Sequence, residues 1–91
     1  MLNVYVLRSL SEPTQHYVGV TVDVARRLHD HNTATRGHTT RWRPWVLAVS
    51  ISFDDDARAR QFERYLKSGS GRAFLKRHLP NKITRRAHII K

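Results

Sequence analysis

The segment that most restricts the possible folds is residues 17–31, YVGVTVDVARRLHDH, which passes from a short β-branched run through a glycine into a helical pattern. Just upstream, residues 3–9 (NVYVLRS) alternate and are rich in β-branched and aromatic side chains, so they read as a strand. Val4 and Val6 then point one way, Tyr5 and Leu7 the other. Residues 11–15 (SEPTQ) are a loop by composition, and residues 16–20 form a second short strand. So short a connection predicts an antiparallel hairpin. With the turn centred near Ser11, Tyr5 and Tyr17 fall directly opposite each other on one face. Gly19 closes the second strand where a side chain would crowd the turn into the helix. Thr21 or Asp23 caps that helix. Val24, Leu28 and His31 follow at helical spacing, and Arg27 and His31 lie one turn apart on one face. Val24 and Leu28 are predicted in the core.

Downstream, residues 32–43 (NTATRGHTTRWR) are polar and basic and read as a loop with one helical turn, ended by Pro44. Residues 45–53 (WVLAVSISF) are the clearest strand, expected to be central and packed on a Leu47, Val49, Ile51 and Phe53 face. Asp54, Asp55 and Asp56 read as a helix start rather than a metal cluster. The helix runs to about Lys67 with Ala59, Phe62 and Leu66 as its buried stripe. Residues 68–71 (SGSG) are a break, and residues 72–78 a last short helix with Phe74 and Leu75 inward. The order β-β-α-β-α-α with hairpin neighbours predicts an α+β domain: a small three-stranded antiparallel sheet flanked by helices. Residues 1–79 make the domain, and residues 80–91 a basic C-terminal tail.

Charge points to the partner. The 91 residues carry 17 Lys and Arg against seven Asp and Glu, a net +10 with histidine neutral. Residues 1–35 are balanced, whereas residues 57–91 hold eleven basic groups and one acid, Glu63. A polyanion lying across the C-terminal half is the expected partner, with a merely solubilising basic face as the plainer alternative. No segment combines this charge with a strong apolar face, so no membrane role is expected. With no cysteine there is no disulfide framework and no thiolate zinc site. The N-terminus shows no signal-peptide core, and the expected location is cytoplasmic.

The residues in order resemble the GIY-YIG nuclease superfamily: Val4-Tyr5, then Tyr17-Val18-Gly19, then Arg27 and His31 on the next helix, then Glu63 on a later one. Arg43-Pro44-Trp45 and residues 65–75 (YLKSGSGRAFL) are similar to the small stand-alone bacterial members. Asn3 stands where the family name has glycine, Val18 replaces isoleucine, and Val20 stands where some relatives place lysine. The resemblance covers residues 3–79. It implies hydrolysis of nucleic-acid phosphodiesters with one divalent ion, Mg²⁺ or Mn²⁺, by an endonuclease acting on DNA in a structure- or repair-related role. RNA is not excluded, and a non-catalytic nucleic-acid-binding module on the same fold is the alternative.

In that reading Tyr5 and Tyr17 flank the attacking water, with Tyr5 favoured as base, although a phenol of pKa about 10 needs a cation nearby to ionise. The competing reading of Tyr5 is a packed strand aromatic. Arg27 neutralises the pentavalent phosphate, and His31 protonates the leaving group or binds a neighbouring phosphate; a packing histidine is the plainer alternative. Glu63 is the metal ligand, against an i,i+4 ion pair with Lys67. Arg26, Arg41, Arg43, Lys67, Arg72 and Lys76 are the expected nucleic-acid contacts. Asn81 is a further candidate near the metal. Neither a substrate preference nor an oligomeric state, with a monomer the default, follows from these residues.

Overall fold

The computed structural model describes residues 1–79. The tail and Asn81 lie outside the described residues. The elements are β1 (Leu2–Ser9), β2 (His16–Thr21), α1 (Val24–Thr33), a 3₁₀ turn (His38–Trp42), β3 (Trp45–Phe53), α2 (Asp56–Lys67) and α3 (Gly69–His78). The three strands form one antiparallel sheet in the order β2-β1-β3. The α+β architecture and its element order are as predicted.

The central strand is β1, and β3 is an edge, contrary to expectation. The reason is visible in β1 itself. Val4, Tyr5, Val6 and Leu7 are each 0–1% exposed, so both of its faces are covered. Val4 and Val6 join Leu2, Val18, Ala59, Leu66 and Leu75 in one core beneath α2 and α3. Tyr5 and Leu7 join Trp45 in a second core on the other face, with Tyr17, Val24, Leu28 and Trp42 packed against it. Apolar and aromatic residues alternate along one strand because each parity serves a different core.

The β1–β3 ladder slips once: Val6 pairs with Val49 but Leu7 with Leu47, leaving Ala48 as an extra residue in β3. A bulge of this kind reverses which face later side chains meet. Val49 and Phe53 therefore pack on the α2–α3 side, while Trp45 is turned to the opposite side with Tyr5 and Leu7. The single Leu47–Phe53 face expected from alternation does not exist; Leu47 is 42% exposed.

Helix starts follow their caps. The Asp23 carboxylate accepts from the Arg26 amide at 3.0 Å, and Asp55 accepts from the amides of Ala57 and Arg58. The last helix begins at Gly69, not Arg72, with Ser68 Oγ accepting from the Gly71 amide. Gly71 is required there: a Cβ would stand 1.9 Å from the Tyr65 carbonyl oxygen and 2.4 Å from Leu66 Cα. The two helices meet backbone to backbone, and the glycine-rich stretch is their contact rather than a gap. Leu75 is buried as expected, but Phe74 stays 38% exposed.

Candidate active site

Across the β1–β2 ladder Tyr5 pairs with Gly19, and Tyr17 with Leu7. The expected direct Tyr5–Tyr17 pairing is wrong by one step of the turn. The ladder closes at Arg8–His16, centring the hairpin on Glu12 rather than Ser11. The Ser9 hydroxyl holds this longer turn by accepting from the Glu12 amide at 3.0 Å. Parity is preserved, so the two tyrosines remain on one face as diagonal neighbours, ring centroids 6.1 Å apart.

The register gives Gly19 its reason. A Cβ there would lie 2.7 Å from the Tyr5 hydroxyl and 2.9 Å from Cζ. The glycine clears a slot for the phenol to lie across β2, a cause different from the crowded helix turn expected. Tyr5 is 0% exposed. Its hydroxyl meets His31 Nε2 at 3.3 Å. The phenol donates to a ring that carries its proton on Nδ1 and accepts from a ring protonated at Nε2. The His31 ring lies 4.4 Å from that of Tyr17 and 6.5 Å from that of Trp45, so Trp45 floors the cluster.

His31 is held from behind by Asn32. That side chain accepts from the Trp45 amide at 2.6 Å and donates to the Trp45 carbonyl at 2.9 Å. The last turn of α1 is thereby tied to the first residue of β3. Arg43 fastens the same corner, donating to the carbonyls of Ala34 at 2.7 Å, Asn32 and Thr40. Its guanidinium is thus engaged with the backbone.

The electrostatics separate the roles. Burial, reinforced by the Tyr17 phenol, pushes the Tyr5 pKa up to about 12 despite the opposing pull of the Arg27 guanidinium. Burial also lowers the His31 pKa, helped by Arg27 and opposed by Asp30. Arg27 is therefore close enough to act on both groups while remaining exposed. At neutral pH the cluster is a protonated phenol hydrogen-bonded to a neutral imidazole, with the Arg27 cation acting on both. Tyr5 is not a free base in this state, which bears on the expectation that favoured it.

Beside the cluster runs a groove of about 1050 Å³ between the start of β2 and the α2–α3 corner. Tyr17, His16, Lys67, Arg72 and Lys76 all line it, with His38 from the 3₁₀ turn. Three of the six expected nucleic-acid contacts thus converge next to a site tyrosine. Arg41 lies elsewhere, its guanidinium 5.0 Å from the Trp42 ring centre, and Arg26 is exposed on α1.

Glu63 sits on α2. Phe62 leans toward β3, its ring 5.8 Å from that of Phe53, while Leu66 and Lys67 border the groove with Tyr17 and Val18. Glu63 lies one turn before Lys67, on the β2 side of the helix. Its side chain is 17% exposed and accepts from Lys67 Nζ at 2.8 Å. The expected i,i+4 ion pair therefore exists, and its lysine is one of the residues lining the groove. Among the described residues no hydrogen bond or ion pair joins Glu63 to Tyr5, Tyr17, Arg27 or His31.

Among the described residues no group of three or more His, Cys, Asp and Glu could hold a metal ion. One carboxylate paired with a lysine of the groove fits a hard cation that keeps most of its water, and Mg²⁺ and Mn²⁺ accept such a donor set. No helix among these residues is long and apolar enough to cross a membrane.

Sequence reasoning missed four contributors: Asn32, Trp45 and the groove histidines His16 and His38. Asn32 left no signal, because both its bonds reach a backbone thirteen residues away. Trp45 was hidden by the bulge.

A small sheet carries a phenol pair, an imidazole and a guanidinium on one face and a cationic groove at its edge, an arrangement whose chemistry suits a phosphate ester. Residues 1–78 match the family model described as the GIY-YIG catalytic domain. The chain belongs to that family. It is similar to the structure-specific endonuclease subunit SLX1 of Malassezia globosa, 43% identical over 63 residues, which are 65% of this chain and 14% of that protein. It is also similar to SLX1 of Candida dubliniensis, 35% over 85 residues, covering 86% of this chain and 28% of that protein. An SLX1 homolog of Leishmania infantum matches at 39% over 67 residues, covering 66% and 10%. The chain thus spans between a tenth and just over a quarter of the length of these relatives.

Proposed function

We propose that this domain is an endonuclease that hydrolyses phosphodiester bonds in DNA with one divalent ion, Mg²⁺ or Mn²⁺. The observation that carries the reading is the Tyr5–His31 hydrogen bond of 3.3 Å with Tyr17 and Arg27 beside it, opening onto a cationic groove. The relatives named as structure-specific endonuclease subunits favour DNA chosen by its structure, and branched DNA is the structure proposed.

The chain's own residues divide the work. Lys67, Arg72 and Lys76 hold the phosphate backbone along the groove. Tyr17, half-buried and lining the groove, positions the attacking water against the phosphorus. The water's proton passes along a relay to His31 Nε2: the Tyr17 hydroxyl takes it and gives its own proton to Tyr5, and the Tyr5 hydroxyl gives its own to the imidazole. A neutral His31 is the acceptor this requires, and its lowered pKa keeps it neutral at physiological pH. The water oxygen bonds to phosphorus as the bond to the leaving oxygen breaks; the leaving oxygen keeps the bonding pair and takes a proton from solvent, His31 gives its proton back to solvent, and Arg27 stabilises the charge that builds on the phosphate oxygens. Glu63 is the residue to hold the ion, which when bound supplies charge neutralisation at the scissile phosphate.

The test is a panel of branched, single-stranded and duplex DNA with Mg²⁺, with Mn²⁺ and with EDTA. Metal-dependent nicking of branched DNA is expected, lost in EDTA and in Glu63→Ala while binding is largely kept. Equal cleavage in EDTA, or a mobility shift with no cleavage of any substrate, overturns the reading; the latter makes the domain a binding module.

A further inference from the structure

Lys67 occupies two positions at once. Its ammonium is 2.8 Å from Glu63 Oε2, and the same side chain lines the phosphate groove beside Tyr17, Arg72 and Lys76. We propose that Lys67 is the residue that couples the two ligands: it neutralises Glu63 while the groove is empty and transfers to a substrate phosphate when the groove fills, freeing the carboxylate for the divalent ion. The proposal rests on Glu63 being the metal residue, as in the function proposed above.

The physical argument is competition for one oxygen. Glu63 is the only acid in residues 57–91, so no second carboxylate there can share the ion's charge. A carboxylate already accepting an ammonium attracts a dication less, because the added cation meets a neutral pair rather than an anion. Lys67 is 54% exposed on a flexible stem and can swing without disturbing α2, whereas Glu63 at 17% is held. A phosphate in the groove offers the ammonium an equivalent partner. Metal and nucleic acid then favour each other, and by linkage the effect is reciprocal. The ion is held loosely until substrate arrives, which keeps a lone-carboxylate site from binding metal without its substrate.

Two binding measurements on the full chain test this without any turnover. First, Mn²⁺ alone is titrated, following the loss of the free-ion electron paramagnetic resonance signal and the broadening of the Glu63 amide in nuclear magnetic resonance spectra. Lys67→Met is expected to tighten Mn²⁺ by roughly two- to fivefold, the range that an exposed ion pair supports. Lys76→Met, which removes the same charge from the groove but has no ion pair with Glu63, is expected to change it less. Second, binding of a branched DNA is measured in EDTA for Glu63→Gln, Lys67→Met and the double variant. Glu63→Gln is expected to tighten DNA, and to do nothing once Lys67 is Met. Equal Mn²⁺ gains for Lys67→Met and Lys76→Met, or additive effects on DNA, overturn the coupling while leaving Glu63 as ligand. Unchanged Mn²⁺ broadening in Glu63→Gln overturns the ligand assignment itself.

Discussion

The Tyr5 phenol lies in the space that a side chain on Gly19 would fill: the two residues are paired across the β1–β2 ladder, and a Cβ on Gly19 would stand 2.7 Å from the Tyr5 hydroxyl. One missing methyl group thus sets the position of the hydroxyl that meets His31.

Gly19→Ala is expected to displace the phenol and break its bond to His31. Overpacking of this kind costs about 1–3 kcal/mol. Tyr5→Phe removes the nearest clashing atom but leaves Cζ at 2.9 Å, so the double variant is expected to recover part of that loss. Denaturant melts of the four proteins measure the coupling; strict additivity contradicts the contact.

Protonating His31 is expected to destabilise the fold. Its folded pKa lies below the ordinary value of about 6.5, so the unfolded chain binds more protons in the window between the two. The stabilising contribution is therefore complete above about pH 6.5 and is lost as pH falls toward the depressed folded value. His16, also lowered by burial and by Arg8, adds to the same trend. Thermal melts from pH 7.5 to 4.5 should show a fall in stability that is shallower in His31→Gln. Cleavage should fall over the same range, because the acceptor nitrogen is lost.

Tyr5 behaves oppositely. Its pKa of about 12 exceeds the unfolded value of about 10, so the folded state binds the extra proton between them. Its contribution is present below pH 10 and is lost between pH 10 and 12. Absorbance titration of tyrosinate should show a late-ionising group near pH 12 that disappears in Tyr5→Phe.

Asn32→Ala removes both bonds to Trp45 and leaves its amide and carbonyl part-buried. A loss of about 1–3 kcal/mol is expected from such unsatisfied groups. Cleavage should fall further than stability alone explains, because the last turn of α1 carries His31. A variant with wild-type melting and wild-type cleavage contradicts the positioning role.

These contacts also show what the amino-acid order could reveal. The α+β class, the hairpin, helix starts at Thr21 or Asp23 and within residues 54–56, and the convergence of Tyr5, Tyr17, Arg27 and His31 were legible, because each rests on local chemistry or on parity along a strand or helix. Three features were not. The bulge at Ala48 leaves no trace in the alternation of residues 45–53, so Trp45 reads as facing the wrong core. The hairpin register depends on how Ser9 ties the loop, which moves Tyr17 from Tyr5 to Leu7. Gly71 looks like a break in sequence but is the point where α3 packs on α2.

The central claim is that Arg27 stabilises the reacting phosphate beside the Tyr5–His31 pair. Single-turnover cleavage of a branched DNA with saturating Mg²⁺, measured beside the DNA affinity of the same protein, tests it most directly. The account predicts that Arg27→Ala loses cleavage by about 10²-fold or more with affinity changed only a few-fold, since one phosphate-stabilising donor carries that much of the rate. Cleavage that persists within a few-fold of wild type, or that falls only in step with DNA affinity, would contradict it.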